Sequence, residues 1–213
     1  MFLLSEMCTL QAYNEEILGN CNAFECSHQD LNDFFKNDAI DYSYELIGKS
    51  YCFTLDSDPK VIVCAFTLSN DSIKLKNIPS ARRSRIKKYI PHAKHFNSYP
   101  AVLIGRLGVN KDFSRKGIGC QLMDFIKAWF IDSRNKTGCR FIVVDAYNES
   151  APLEYYKKNG FDSLFTSDKQ EREYYGIGEN EQLKTKFLFF DLITLSQPSK
   201  NKSTDAPLVI EKS

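Results

Sequence analysis

The strongest constraint on the fold is the hexapeptide SRKGIG at residues 114–119, because of what stands on either side of it. The apolar run AVLIGRLGV precedes it and is typical of a strand buried on both faces. The run CQLMDFIKAWFI follows it with apolar residues at helical spacing, which predicts a helix over about residues 117–134. A buried strand, a glycine turn and a long amphipathic helix together predict a mixed α and β domain with a crossover helix between its central strands.

The same turn has the composition of an anion-binding site. The first turn of a helix leaves backbone N–H groups without partners, and the helix dipole adds positive charge there. Gly117 and Gly119 leave room for a phosphate or pyrophosphate, while Arg115 and Lys116 add two cations. The turn matches neither the P-loop nor the full dinucleotide-binding pattern, so a purely structural helix start is the alternative.

Further elements surround this unit. A helix is predicted over residues 26–46 with Ser27 as its cap, and a short helix within the basic segment. Gly105 and Gly108 interrupt the central strand, where a glycine often marks a bulge or the close approach of a ligand. The runs SYCFTLDS and KVIVCAFTLS predict a hairpin. Three further strands are predicted in CRFIVVDAY, FDSLF and KTKFLFFDL, and a short helix in APLEYYKKNGF.

Composition argues against a membrane, a secreted and a zinc-binding protein. Apolar and charged fractions of 43% and 26% are those of a soluble globule, and the chain lacks a run long enough to span a bilayer. The start has no pattern of a signal peptide, so a cytoplasmic protein with free thiols is expected. Cys21, Cys26 and His28 lack the second ligand pair of a zinc site, and no metal is predicted.

Charge is distributed unevenly along the chain. Residues 1–71 hold 12 acids and 3 bases, a balance of −9, whereas residues 72–111 hold 10 bases and no acid, a balance of +10. This basic segment, residues 72–111, indicates a polyanionic partner. The alternative is a solvated region that neutralises the acidic first third.

Two motifs together resemble the GNAT acetyltransferase superfamily. Its cofactor loop, Gln/Arg-x-x-Gly-x-Gly/Ala, corresponds to residues 114–119, with Ser114 in place of Gln or Arg. Its second signature corresponds to NESAPLEYYKKNGF, with Asn148, Ala151, Tyr156, Gly160 and Phe161 in the matching places. The resemblance covers about residues 5–195. It implies a GNAT domain over residues 1–195, and the run SQPSKNKSTDAPLVIEKS predicts a flexible tail over 196–213.

The resemblance also implies the fold and the donor. The fold would be α/β (α+β), a mixed sheet of about six to seven strands, splayed at the middle and flanked by helices on both faces. Acetyl-CoA would give its acetyl group to a primary amine by direct attack. The residues implied in cofactor binding are Leu107, Gly108, Val109, Arg115, Lys116, Gly117, Ile118, Gly119, Cys120 and Asn148.

Tyr156 is the residue that the resemblance implies as the acid that protonates the departing thiolate, with Tyr155 as a rival. The general base stays open: His92, His95 and Glu45 qualify only by residue type. An aminoacyl ester would need no dedicated base, since its amine is largely neutral near pH 7. Arg106 either orients the substrate or pairs with an acid.

A narrower resemblance is to the GNAT toxins of toxin–antitoxin pairs, which acetylate the amino group of aminoacyl-tRNA. The motifs that carry it are LNDFF, IGRLGVNKDFSRKGIG and VVDAYNES with YYKKNGF. It implies tRNA as a partner of the basic segment, an antitoxin protein and a homodimer. The alternatives are a small-molecule or protein amine acetyltransferase, and a sensor that binds acyl-CoA without turnover.

Overall fold

The computed structural model describes residues 3–76, 78–87, 90, 96–179 and 181–196. Within these residues seven strands form one sheet in the order β1-β2-β3-β4-β5-β7-β6. The fold predicted from the resemblance is thereby confirmed. The strands are β1 Cys8–Ala12, β2 Lys49–Leu55, β3 Asp58–Lys74, β4 Ser98–Val109, β5 Phe141–Tyr147, β6 Asp162–Ser163 and β7 Thr185–Asp191.

The helices lie on both faces of this sheet. The predicted crossover helix is α6, which begins at Ile118 and ends at Ile131. Gly160, just beyond α7, has φ of 80°, as expected for the residue after a helix C-terminus. The helices are α1 Leu4–Met7, α2 Glu15–Asn20, α3 Gln29–Asp33, α4 Ala39–Tyr44, α5 Ser80–Lys87, α6, α7 Ser150–Lys158, α8 Asp168–Tyr175 and α9 Ile193–Ser196.

The helix predicted over residues 26–46 is divided. A π-helical segment, Phe34–Asp38, joins α3 to α4. The predicted cap is wrong: His28 occupies the N-cap position of α3, and its side chain makes no capping hydrogen bond. The π-helical segment brings both Phe34 and Phe35 into the core, where they are 6% and 1% exposed.

The two central strands separate along their length. β4 and β5 run parallel and pair only from Ala101 with Phe141 to Leu103 with Val143. Beyond these pairs the edges of residues 104–109 and 144–147 face each other without pairing. We call this gap the slot. A register shift against β3 skips Gly105, so the predicted bulge is confirmed at that glycine.

The sheet separates two layers of core, which we name by their helices. On the α6 face, Ile104, Val144 and Ala146 pack with Leu122 and Ile126. On the α5 face, Phe141 and Val143 pack with Ile86 of α5 and with Phe187 and Phe189 of β7. A third cluster, which includes Phe34 and Phe35, holds α2 to α4 against the first strands. Successive residues of β5 therefore point to opposite faces, as strand geometry requires.

No helix in the described part of the chain is long and apolar enough to cross a bilayer. Almost all of the predicted tail lies outside the described residues, which end at Ser196.

Candidate active site

The slot opens into a cleft of about 520 Å³ that passes between the splayed strands. α7 contributes its wall on the α6 face, and α3 contributes its wall on the α5 face. Most of the lining is apolar, with a few polar groups that can fix the orientation of a ligand. The lining residues are His28, Leu31, Leu103, Ile104, Gly105, Arg106, Leu107, Asp145, Ala146, Tyr147, Ala151, Pro152, Tyr155, Tyr156 and Thr185.

The N-terminus of α6 has the geometry of an anion-binding turn. Gly117 is the N-cap, with φ of 81°, and no side chain caps the helix. The next residues, Ile118, Gly119 and Cys120, form the first turn, and no acid stands there. Arg115 also adopts a positive φ of 60°, a strained conformation for a residue with a side chain. Lys116 places its ammonium 5.1 Å from the centre of the Phe113 ring.

The two glycines of this turn serve different purposes. At Gly117 the nearest heavy atom to an added Cβ is 4.0 Å away, so the space above its amide is open. At Gly119 an added Cβ would lie 3.0 Å from the Tyr155 ring, and the Tyr155 hydroxyl donates to the Gly119 carbonyl at 2.7 Å. The absence of a side chain at Gly119 therefore allows α7 to pack closely against α6.

Tyr156 lies in the cleft wall on α7. Its ring packs edge-on against Tyr155 and Phe161, with centroids 5.0 and 5.3 Å away. Its hydroxyl makes no hydrogen bond within the described residues, unlike that of Tyr155. Burial raises the pKa of Tyr156 above its ordinary value, so the phenol keeps its proton at physiological pH.

The outer half of β4 supplies the other edge of the slot. Leu107, Gly108 and Val109 pair with Phe66, Ala65 and Cys64 of β3. The opposite edge of these residues faces the slot, where an extended ligand can pair with it. Gly108 has a packing role too, since an added Cβ would meet the Phe24 ring at 3.0 Å.

Several predicted residues have other partners or other positions. Asn148 donates its side-chain amide to the Leu183 carbonyl at 2.9 Å, which ties the end of β5 to the segment before β7. Glu45 follows α4 and does not line the cleft. His92 and His95 lie outside the described residues. Cys21 and Cys26 donate their thiols to the carbonyls of Pro59 and His28, and the described residues contain no metal-ligating cluster of three groups.

Arg106 lines the cleft on the α5 face. Its guanidinium lies 4.9 Å from the centre of the Phe34 ring and donates to the Gly105 carbonyl at 2.8 Å. The predicted pairing of Arg106 with an acid is absent from the described residues. Its position leaves the predicted role in orienting a substrate open.

Apart from Arg106, sequence reasoning did not assign a role in the site to the polar groups on the α5 face of the cleft. Asp145 of β5 lies there and accepts a hydrogen bond from the Tyr175 hydroxyl of α8 at 3.2 Å. The His28 ring stacks on Tyr147 with centroids 5.2 Å apart, and the Tyr147 hydroxyl donates to Asp30. Asp145 falls inside the motif VVDAY, but its polar character in an otherwise apolar strand was the only signal.

Comparison with known proteins agrees with this geometry. Residues 85–163 match the family model described as an acetyltransferase (GNAT) domain. These residues include the last residues of α5, the slot, the turn before α6 and all of α7.

Solved structures share the fold at low sequence identity. AtaT complexed with acetyl-methionyl-tRNAfMet is 20% identical, with a TM-score of 0.61 over 89% of this chain and 97% of the other. AtaTR bound with AcCoA is 19% identical, with a TM-score of 0.59 over 90% and 97%. A tyrosine-to-phenylalanine mutant of the AtaT toxin, bound to the C-terminus of the antitoxin AtaR, is 18% identical, with a TM-score of 0.57 over 90% and 97%.

The family match covers the turn and the helix that carry both predicted motifs, and the fold is that of GNAT toxins over nearly the whole described chain. Residues 85–163 of this chain therefore match the GNAT acetyltransferase domain, and the chain shares the fold of these toxin structures.

Proposed function

We propose that this chain transfers the acetyl group of acetyl-CoA to the α-amino group of an aminoacyl-tRNA. The observation that carries the proposal is the position of the basic helix α5, which lies on the same face of the sheet as the acceptor mouth of the slot. The coenzyme would enter from the α6 face and the amine from the α5 face.

The α6 face has the features that acetyl-CoA needs. Open amides at the N-terminus of α6, beside Arg115 and Lys116, suit the diphosphate of a coenzyme. The unpaired edge of Leu107 to Val109 suits the amide-containing pantetheine arm, which can pair like a strand. Bound there, the coenzyme would supply an activated thioester at the centre of the slot. The substitution of Ser114 for Gln or Arg leaves Arg115 as the nearest cation for the phosphates.

Tyr156 is the residue that we assign to proton donation. Its hydroxyl has no protein acceptor within the described residues, and its raised pKa keeps it protonated. Proton transfer from such a phenol to a thiolate is uphill, because a thiol has an ordinary pKa near 8.5. We therefore expect Tyr156 to give up its proton only as it regains one from the attacking amine.

The α5 face has features that suit an RNA acceptor. α5 has the sequence SARRSRIK, and Ile86 anchors it to the core while Arg83 is exposed. Lys74 and Lys76 are exposed at and beyond the end of β3. Cations on one surface bind phosphates with little regard to sequence, which suits a backbone leading to the slot. The similarity to AtaT, solved with acetyl-methionyl-tRNAfMet, supports the same acceptor class.

The test is acetyl transfer from radiolabelled acetyl-CoA to a pool of charged tRNA. We expect label that precipitates with the RNA and is released by mild base, because it would reside on an ester-linked amino acid. Uncharged tRNA is the control for acetylation of the nucleic acid itself. Expression in a bacterium is expected to arrest growth, and co-expression of a cognate antitoxin to relieve it.

Other outcomes identify the rival functions. Label on free amines or on protein lysines, with none on charged tRNA, would identify a small-molecule or protein acetyltransferase. Binding of acetyl-CoA without any transfer would identify a sensor. Either result would overturn the proposal.

A further inference from the structure

We propose that the carboxylate of Asp145 binds the ammonium group of the acceptor at the α5-face mouth of the slot and takes a proton from it. This inference rests on the proposed function and names the group that receives the acceptor's amine. It assigns a role to a residue outside the two motifs that define the α6 face.

The position of Asp145 follows from the alternation of β5. Phe141 and Val143 face the α5 layer, whereas Val144 and Ala146 face the α6 layer. Asp145 continues the first series and lines the cleft on the face opposite the wall formed by Tyr156. The two groups therefore lie on opposite sides of the gap in which the amine and the thioester would meet.

The negative charge of Asp145 is available for a ligand. Within the described residues no lysine, arginine or histidine forms an ion pair with it. Arg106 is the cation of the cleft wall, and it lies against Phe34 instead of Asp145. An amine entering a cleft lined mainly by apolar groups would find Asp145 as its only carboxylate among the described lining residues.

A chain of contacts holds this carboxylate in place. Tyr175 donates to it from the end of α8. α8 is itself fixed to the sheet by Glu171, which is 1% exposed, accepts a hydrogen bond from the Phe187 amide and lies 3.4 Å from Lys186. Such anchoring is what a group needs if it is to orient a substrate.

The electrostatic surroundings favour proton transfer to Asp145. Desolvation raises its pKa, the hydrogen bond from Tyr175 lowers it, and the nearby charge of Asp71 raises it. A carboxylate with a raised pKa is a stronger base than an ordinary aspartate. The other titratable or charged groups around the cleft are His28 of α3, Asp71 of β3, Arg106 of β4, Tyr147 of β5, Tyr155 and Tyr156 of α7, and Tyr174 and Tyr175 of α8.

The proton balance is simple. The acceptor's ammonium loses one proton to an Asp145 oxygen, which leaves a neutral amine with its lone pair directed into the slot. The carboxyl group then returns this proton to water at the mouth of the cleft. The amine's second proton replaces the one that Tyr156 gives up, so the chain ends each cycle in its starting state.

The kinetic test compares Asp145→Asn with Asp41→Asn, a control that removes an exposed carboxylate of α4 outside the cleft lining. We expect Asp145→Asn to lower kcat/KM for aminoacyl-tRNA about 10- to 100-fold without changing the affinity for acetyl-CoA. Only neutral amine can react in this variant, so its deficit should grow as the pH falls from 8.5 to 6.5. A deficit that is equal at every pH, or absent, would overturn the inference.

A binding test separates this inference from the proposed function. Puromycin carries an aminoacyl amine on a stable nucleoside, and its α-hydroxy counterpart lacks the charge. The wild-type protein should bind puromycin at least about tenfold more tightly, and Asp145→Asn should remove that preference. Equal preference in both proteins would overturn the role of Asp145 alone. Failure of the wild type to bind either compound and to acetylate charged tRNA would overturn both proposals.

Discussion

The two sides of the slot are built in different ways. The α6 face depends on two contiguous motifs, a glycine turn and a short helix, whose positions are fixed by backbone geometry. The α5 face is assembled from side chains of α3, β4, β5 and α8, which are as far apart as His28 and Tyr175 in the chain. A coenzyme that does not change can be bound by a fixed motif, whereas an acceptor requires groups that vary between enzymes.

The electrostatics of the two sides differ as well. Arg115 and Lys116 stand beside the N-terminus of α6, so the α6 face combines fixed charges with a helix dipole of the same sign. On the α5 face a carboxylate lies at the mouth while cations lie farther out on α5. This arrangement suits an acceptor with a positive amine at the end of a negative backbone.

The largest effect is expected from Gly117→Glu. The new side chain would place a carboxylate over the open amides of α6, where the diphosphate is expected. Isothermal titration calorimetry should detect no binding of acetyl-CoA. Gly138→Glu is the matched control, because Gly138 is exposed, lies in the loop before β5 and has no heavy atom near its Cβ position.

Gly117→Ala separates charge from backbone strain. Gly117 has φ of 81°, so any side chain there costs about 1–2 kcal/mol of conformational energy. Alanine should reduce acetyl-CoA affinity only in part, with a comparable loss in thermal stability for both variants. Equal loss of binding in the alanine and glutamate variants would mean that strain, not charge, governs the turn.

The next effect is expected from Tyr156→Phe. Removal of the phenol should lower kcat by about 10²-fold, with little change in the affinity for acetyl-CoA, because the hydroxyl would act only during transfer. Steady-state kinetics with charged tRNA measures this. Tyr155→Phe is the comparison: it loses the hydrogen bond to Gly119, which costs about 1 kcal/mol of stability, and turnover should change little. The opposite ranking would make Tyr155 the acid.

A smaller effect is expected from charge reversal on the α5 face. Lys76→Glu with Arg83→Glu should raise the KM for charged tRNA about tenfold and reduce the dependence of binding on salt, because two cations near the RNA backbone are lost. The KM for puromycin should not change, since it lacks that backbone. Lys60→Glu with Lys136→Glu makes the same change in net charge elsewhere on the surface. Equal effects of both pairs would show that only net charge matters.

The central elements of the fold could be predicted from the sequence because each is encoded in a local pattern of residues. The hairpin of β2 and β3, the central strand β4, the crossover helix α6 and the last helix of the signature, α7, were each predicted from a continuous run of residues. β1 and α8 were missed, since β1 is short and α8 has the charged sequence DKQEREYY without an apolar stripe. α8 owes its position to tertiary contacts such as that of Glu171 with Phe187, which no local pattern encodes.

The candidate site follows the same division. The motifs located the turn before α6 and the helix of Tyr156, but they assigned to Gly119 the task of admitting a phosphate, whereas its Cβ position is taken by the Tyr155 ring. Asp145 was not predicted as a site residue, because its place in the cleft depends on the separation of β4 from β5 and on the hydrogen bond from the Tyr175 hydroxyl. Neither feature can be seen in a local run of sequence. The candidates for a base were His92, His95 and Glu45; both histidines lie outside the described residues, and Glu45 does not line the cleft.

The smallest effect concerns how the α6 face holds Tyr156. Lys127 of α6 is 7% exposed, donates to the Asn159 carbonyl just beyond α7 at 2.6 Å and lies 4.2 Å from the centre of the Phe190 ring. Burial lowers its pKa below the ordinary value near 10.5. The unfolded chain therefore binds more protons than the folded chain in the window just below pH 10.5, and the contribution of Lys127 to the free energy of unfolding rises with pH there.

Lys127→Met tests this support without touching the cleft. Methionine fills a similar volume but leaves the Asn159 carbonyl without its donor, which costs about 1–3 kcal/mol. Urea unfolding of both proteins at pH 7.5 and 9.5 should show a larger difference in the free energy of unfolding at the higher pH. There the Lys127 amine is more often neutral, so its burial costs the wild type less free energy. A difference that narrows with rising pH would mean that the charge of Lys127, more than its hydrogen bond, holds α7 against α6.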